Sequence, residues 1–185
     1  MARTREFDED EALDTAMKVF WDAGYDGASM DMLTTALGIG KPSLYAAFGN
    51  KRALYSRAVE RYVATVGGRL HEALERDDFH EAIRAFWDIY AKGENGCFLV
   101  QSGLACSTPE VTDEAASKRR ATEALVARRI TRAKRDGHLP GDVRVADMAR
   151  YIASVAYGLS VQSRNGATLV ERARVADFAL RALPK

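Results

Sequence analysis

The feature that most narrows the fold of this chain is its hydrophobic period. Apolar residues recur at three- and four-residue intervals almost from end to end, and no alternating run rich in β-branched residues interrupts them. Leu13, Ala16, Met17 and Phe20 form the first stripe. Asp8, Glu9, Asp10 and Glu11 lead into it, where acids suit the positive end of a helix dipole, and Gly24 supplies a left-handed stop. The chain therefore reads as all-α, with about nine helices. A second helix over Met30 to Leu37 is capped by Ser29, and a third over Lys41 to Phe48 has Pro42 in its first turn. A long fourth helix follows Asn50, carries Tyr55, Val59, Tyr62, Val66, Leu70 and Leu74 on one stripe, and reaches about Arg76. The fifth spans about Asp78 to Lys92, and Gly93 to Gly96 form a turn. The sixth is expected over Cys97 to Ser107, the seventh from Pro109 to Asp136, and the eighth from Gly141-Asp142 to Arg164. Thr168 and Glu171 have capping-box spacing for a ninth, which ends before Pro184. Two units are expected, a tightly turned three-helix unit over 1–52 and a helical bundle over 53–185.

Composition excludes more than it selects. With 47% hydrophobic and 29% charged residues the chain is ordinary globular material, and a net charge of +1 names no partner. No secretory leader and no run of about 18 apolar residues is present, so a cytoplasmic protein without a membrane partner is expected. Cys97 and Cys106 on one helix would stand about 13 Å apart on opposite sides, too far for a disulfide. His71, His80 and His138 lack metal spacing, so no metal or cofactor is expected. Gly38-Ile39-Gly40-Lys41 fails as a phosphate loop because Thr35 and Pro42 occupy positions that need Gly and Ser or Thr. Without a nucleophile elbow or Cys/His pair, an enzyme is not expected.

The informative segment is SMDMLTTALGIGKPSLYAAFGNK, Ser29 to Lys51. Two short helices around a tight glycine turn are the helix-turn-helix pattern, whose second helix enters the DNA major groove. Leu37 to Arg61 holds five basic residues (Lys41, Lys51, Arg52, Arg57, Arg61) against Glu60, whereas Glu6 to Asp31 holds nine acids against one lysine. The acidic first helix is therefore expected to face away from phosphate, and the basic edge to set orientation on DNA. A second basic run, Lys118 to Arg135, has eight cations against Glu123 and reads as the solvated side of the seventh helix.

Gly24-Tyr25-Asp26-Gly27-Ala28-Ser29-Met30, Ala36-Leu37-Gly38-Ile39, Lys41-Pro42-Ser43-Leu44-Tyr45, Phe48 and Asn50-Lys51-Arg52-Ala53-Leu54 resemble, in order and spacing, the N-terminal domain of the TetR/AcrR family. The motif-bearing match covers about Ala12 to Tyr62. It implies a homodimeric transcriptional regulator, a repressor of a palindromic operator in double-stranded DNA, with residues 1–52 as DNA-binding domain and 53–185 as ligand-binding and dimerisation domain. Tyr45 and Lys51 correspond to phosphate-contacting positions, and Ser29 and Met30 to the contact point at the start of the second helix. Lys41, Pro42, Ser43, Ala46 and Ala47 lie on the groove-reading helix, where alanines meet thymine methyls but cannot hydrogen-bond a base. Gly40 departs from the hydroxyl or amide cap common in the family.

The resemblance further implies a pocket for a small apolar or aromatic effector, with Tyr62, Val66, Phe86, Trp87, Tyr90, Cys97, Phe98, Tyr151 and Val155 as lining and Gln101 as the polar orienting group. For the dimer interface, the small residues Ala153, Ala156, Gly158 and Ser160 with Tyr157 on the eighth helix, and Ala176, Leu180 and Leu183 on the ninth, are the candidates.

Overall fold

The computed structural model describes residues 8–103 and 106–184. Among these there are nine α-helices and no strand, as the period predicts. α1 (Glu9–Gly27) is capped by the Asp8 carboxylate, which accepts the Asp10 and Glu11 N–H groups. Gly24 does break it, at φ +70°, but a further turn follows before the chain leaves at Ala28. α2 (Met30–Leu37) and α3 (Lys41–Phe48) cross over a turn at Gly38, whose φ of +64° suits a residue without Cβ. α4 (Lys51–Leu74) begins at an Asn50 cap and runs on without interruption, so the boundary at residue 52 falls inside its first turn.

α5 (Phe79–Lys92), α7 (Pro109–Arg135), α8 (Val145–Arg164) and α9 (Leu169–Arg181) build the bundle, with α8 packed on α5, α7 and α9. Trp87 and Ile152 sit at its centre, and the indole Nε1–H donates to Ile152 O at 2.9 Å. α4 packs on α1 at one end and on α5 and α7 along its length. Thr168 and Glu171 form the expected capping box of α9.

Two helices are shorter than their sequence pattern. α8 starts at Val145 instead of Gly141-Asp142. α6 covers Phe98–Gln101 alone, where a helix to Ser107 is expected; Leu104 and Ala105 lie outside the described residues. Tertiary contacts compete with its next turn. Arg119 Nη1 donates to Leu99 O at 2.5 Å, and a Cβ on Gly103 would lie 2.4 Å from Ala115 Cβ. Apolar spacing records that this segment is buried, not that its carbonyls are bound by a side chain from α7.

Candidate nucleic-acid interface and aromatic core

The reading head is built inward from Leu33, Leu44 and Phe48, which join Phe20, Leu54 and Tyr55 in one core. That burial fixes which residues α3 turns out. Lys41, Pro42, Ser43, Tyr45 and Ala46 are exposed, with Tyr45 at 46%. Ser29 is exposed and caps α2 by accepting the Met32 N–H at 3.1 Å. Met30 and Ala47 are half-buried against the core, so less of each is presented outward. Met32, 46% exposed on the outer side of α2, was not among the sequence candidates; its place off the Leu33–Leu37 stripe was the available signal. Gly40 caps α3 without a side-chain hydrogen bond, as its identity demands.

The electrostatics differ from a simple basic edge. Lys41 pairs with Asp31 at 2.7 Å, and this carboxylate holds the ammonium pKa above its ordinary value. Arg57 reaches Glu9 at 2.8 Å, Arg61 grips Asp14 and Asp10, and Arg52 meets Glu114 of α7 at 2.6 Å. The Arg61 hydrogen bond pulls the Asp14 carboxyl below the usual range. The acidic start of α1 thus braces α4 by neutralising Arg57 and Arg61. Lys51, half-buried, places its Nζ 4.4 Å from the centre of the Tyr25 ring. The α7 run is likewise less solvated than expected. Arg119 binds Leu99 O, Arg132 pairs with Glu75, Lys134 donates to Val143 O at 2.6 Å, and Arg129 is buried.

The predicted effector residues divide. Phe86, Trp87, Tyr90, Tyr62, Cys97 and Phe98 are buried together, and Val66, Val155 and Gln101 are half-buried at their margin. Tyr62 donates to Cys97 Sγ at 3.3 Å, and Gln101 donates to Ser160 O at 3.4 Å. Burial pushes the Tyr62 and Tyr90 phenols and the Cys97 thiol upward, so all three are neutral at neutral pH. Tyr151 does not belong here. It is 39% exposed, and its hydroxyl donates to Ala179 O on α9, because the buried side of α8 is taken by Ile152, Ala156 and Leu159.

Phe98 is the meeting point of head and body. Its ring lies 5.6 Å from Trp21 of α1, and 5.7 Å and 5.6 Å from Tyr55 and Tyr62 of α4. Trp21 Nε1–H donates to Asn95 O at 2.9 Å in the turn before α6. That turn is sterically fixed: Gly96 has φ +72°, and a Cβ there would lie 2.6 Å from Ser160 O.

The predicted dimer residues are largely corrected. Ala153, Ala156, Ser160, Ala176 and Leu183 are buried within the protomer, and Leu180 is half-buried against its core. Ser160 Oγ accepts the Cys97 N–H. Tyr157 points to α7, donating to Arg119 O at 3.1 Å, and burial raises its pKa to about 12. Small residues on α8 do permit close helix approach, but to helices of the same chain. Gly158 alone of that set lies on the outer face. The exposed large apolar side chains of these two helices are Tyr151 and Val161 on α8 and Leu169, Val170, Val175 and Phe178 on α9.

Comparison with known proteins follows the same lines. The family description "Bacterial regulatory proteins, tetR family" matches residues 12–58. The transcriptional repressor ComR of Escherichia coli (strain K12) is 28% identical, covering 99% of this chain and 92% of that protein. The repressor BdcR of the same organism is 30% identical, covering 96% and 89%. A solved structure of a cysteine-substituted TetR family regulator, CifR, on a 26-base-pair double-strand operator superposes with a TM-score of 0.92 at 34% identity, covering 98% of this chain and all of that one.

Proposed function

This chain belongs to the TetR family of bacterial regulatory proteins and is a DNA-binding transcriptional regulator, not an enzyme; on that premise we propose that it is a repressor, that it holds its operator as a homodimer, and that a small apolar or aromatic effector releases it. One observation carries the DNA contacts. Burial of Leu44 and Phe48 turns Lys41, Pro42, Ser43, Tyr45 and Ala46 to solvent, on a head braced by the α1–α4 ion pairs. In this reading α3 enters the major groove, while Ser29, Met30 and Ala47 border the contact. Tyr45 and Lys51 meet phosphate, the Tyr25 ring holding the Lys51 ammonium in place. Residues 1–52 act as DNA-binding domain and 53–185 as effector and dimerisation domain, with α4 continuous through both. Two heads then read half-sites roughly 34–36 Å apart or a multiple of that. A cytoplasmic location goes with this proposed action on DNA. The effector site is the Tyr62–Trp87–Tyr90–Phe98 core with Gln101 at its edge, where neutral phenols and apolar walls suit an uncharged aromatic ligand.

The test is fluorescence anisotropy on duplexes drawn from the DNA flanking the gene. Lys51→Ala is expected to weaken binding to operator and random DNA alike and to reduce the salt slope by about one unit, since phosphate is the same at every base pair. Ser43→Ala and Ala47→Gln are expected to re-rank operator variants, because they alter what meets base edges. Variants that fold and dimerise normally, yet show a re-ranking by Lys51→Ala with an unchanged salt slope, would refute the assignment.

A further inference from the structure

Arg129, in the C-terminal third of α7, is 3% exposed. Its Nη2 donates to Arg76 O at 3.2 Å and Asp77 O at 2.9 Å, just past the end of α4, and its guanidinium lies 5.3 Å from the Phe79 ring centre. Its Nε and Nη1 are buried without a hydrogen-bond partner. A buried charge is ordinarily matched by an opposite one, and here the carboxylates that act on it are engaged elsewhere. Glu75 pairs with Arg132, Asp78 caps α5 by accepting the Glu81 N–H at 2.8 Å, and Asp136 holds Arg135 at 2.9 Å. Beside Arg129 is a cleft of about 180 Å³ walled by Leu74 and Leu125, with His71, Arg128 and Arg132 as further cationic or protonatable lining and Glu75 as its acid.

We propose that this α4–α7 cleft binds a small oxyanion, a carboxylate or a phosphate group, with Arg129 as its buried anchor and Arg128, Arg132 and His71 around it. The space is several times the volume of a water molecule, enough for such a group. Guanidinium donors are matched to carboxylate and phosphate oxygens. Arg128 and His71 are exposed, so the cleft opens to solvent on their side rather than into the core. Burial, and then the neighbouring Arg132, lower the Arg129 pKa, which is the state an incoming anion relieves. The site is separate from the aromatic core: none of its lining residues belongs to the Tyr62–Phe98 cluster.

Thermal unfolding of the full chain tests it, with inorganic phosphate and succinate each compared against chloride at equal ionic strength. One or both anions are expected to raise Tm by about 3–6 °C at ten times the dissociation constant, and the effective one identifies the ligand class. Arg129→Gln is expected to abolish that response. Phosphate also stabilises proteins by exclusion from their surfaces, so the variant comparison decides. If Arg129→Gln does not fold, the Arg128→Ser/His71→Gln double variant, which changes exposed side chains, is expected to weaken the response at least threefold. Equal melting in all three salts, or a wild-type response in whichever variant folds, overturns the proposal.

Discussion

Phe178 is the side chain on which the proposed dimer most depends. It is 72% exposed on α9, an unusual position for a phenylalanine, with the Arg181 guanidinium 5.5 Å from its ring centre. Val175 and Val170 of α9 and Val161 and Tyr151 of α8 are further exposed apolar side chains on these two helices. Burying a whole phenylalanine contributes about 1.5–3 kcal/mol, so burying the exposed share contributes about 1–2 kcal/mol. A two-fold interface uses each residue twice, which gives about 2–4 kcal/mol per dimer. Phe178→Glu removes that and brings two carboxylates toward one apolar seam. The dimer dissociation constant is then expected to rise at least roughly thirty- to a thousand-fold, and sedimentation velocity at micromolar concentration should show monomers. Gly158→Arg, on the same face of α8, should act in the same direction. Circular dichroism is expected to stay native, because neither side chain belongs to the protomer core. If Phe178→Glu sediments as a dimer with the wild-type constant, α8 and α9 do not form the interface and this reasoning is wrong.

Two further outcomes follow from contacts between head and body. The Asp26 carboxylate accepts the Ser107 backbone N–H at 2.6 Å and the Cys106 thiol at 3.5 Å, and the Ser107 bond lowers its pKa below the ordinary value near 3.8. A lowered folded-state pKa means its stabilising contribution is present above that ordinary value and is lost as pH falls through the folded value. Asp26→Asn should therefore lose less urea resistance between pH 5 and pH 3 than the wild type, and parallel curves for the two would discount the contact. The two thiols should also separate kinetically: half-exposed Cys106 reacts with a disulfide reagent at neutral pH, whereas Cys97, buried and raised in pKa, reacts at least tenfold more slowly. Cys106→Ser should remove the fast phase, and equal rates for both thiols would contradict the burial.

Element type was legible because burial and helical period coincide along the chain. The helical period puts Leu44 and Phe48 on one side of α3, and their burial settles which α3 residues face out. Boundaries were legible where a cap residue or glycine marks them, as at Asn50 and Thr168. The short α6 was not, because Arg119 and Gly103 decide it and neither contact has a local sequence signal. Charge was the most misleading quantity. A segment count records that Arg57 and Arg61 are basic, but not that Glu9, Asp10 and Asp14, about fifty residues earlier, face them. Most of the dimer candidates are buried within the protomer for a related reason. Small residues mark close helix contact without naming the partner, and α8 spends Ala153, Ala156 and Ser160 on its own chain.

The energetics of regulation follow from where Phe98 sits. α1 is tied to the body by hydrogen bonds from Trp21 to Asn95, from Arg164 of α8 to Asp22, and from Ser107 to Asp26. α1 and α4 are in turn locked to each other by the Glu9, Asp10 and Asp14 ion pairs. A displacement of the Phe98 ring therefore acts on Trp21 and Tyr55 together, and the head responds as one body instead of shearing between α1 and α4. The free energy needed is small. Tenfold weaker DNA binding corresponds to about 1.4 kcal/mol, and one edge-to-face ring contact is worth about 0.5–1.5 kcal/mol. An effector that enters the aromatic core and replaces a single contact of Phe98 in only one of two head positions has enough differential affinity to shift operator occupancy. On the proposed reading, release by an effector requires no unfolding and no broken ion pair, only an exchange of one aromatic neighbour for another at the point where α1, α4 and α6 converge.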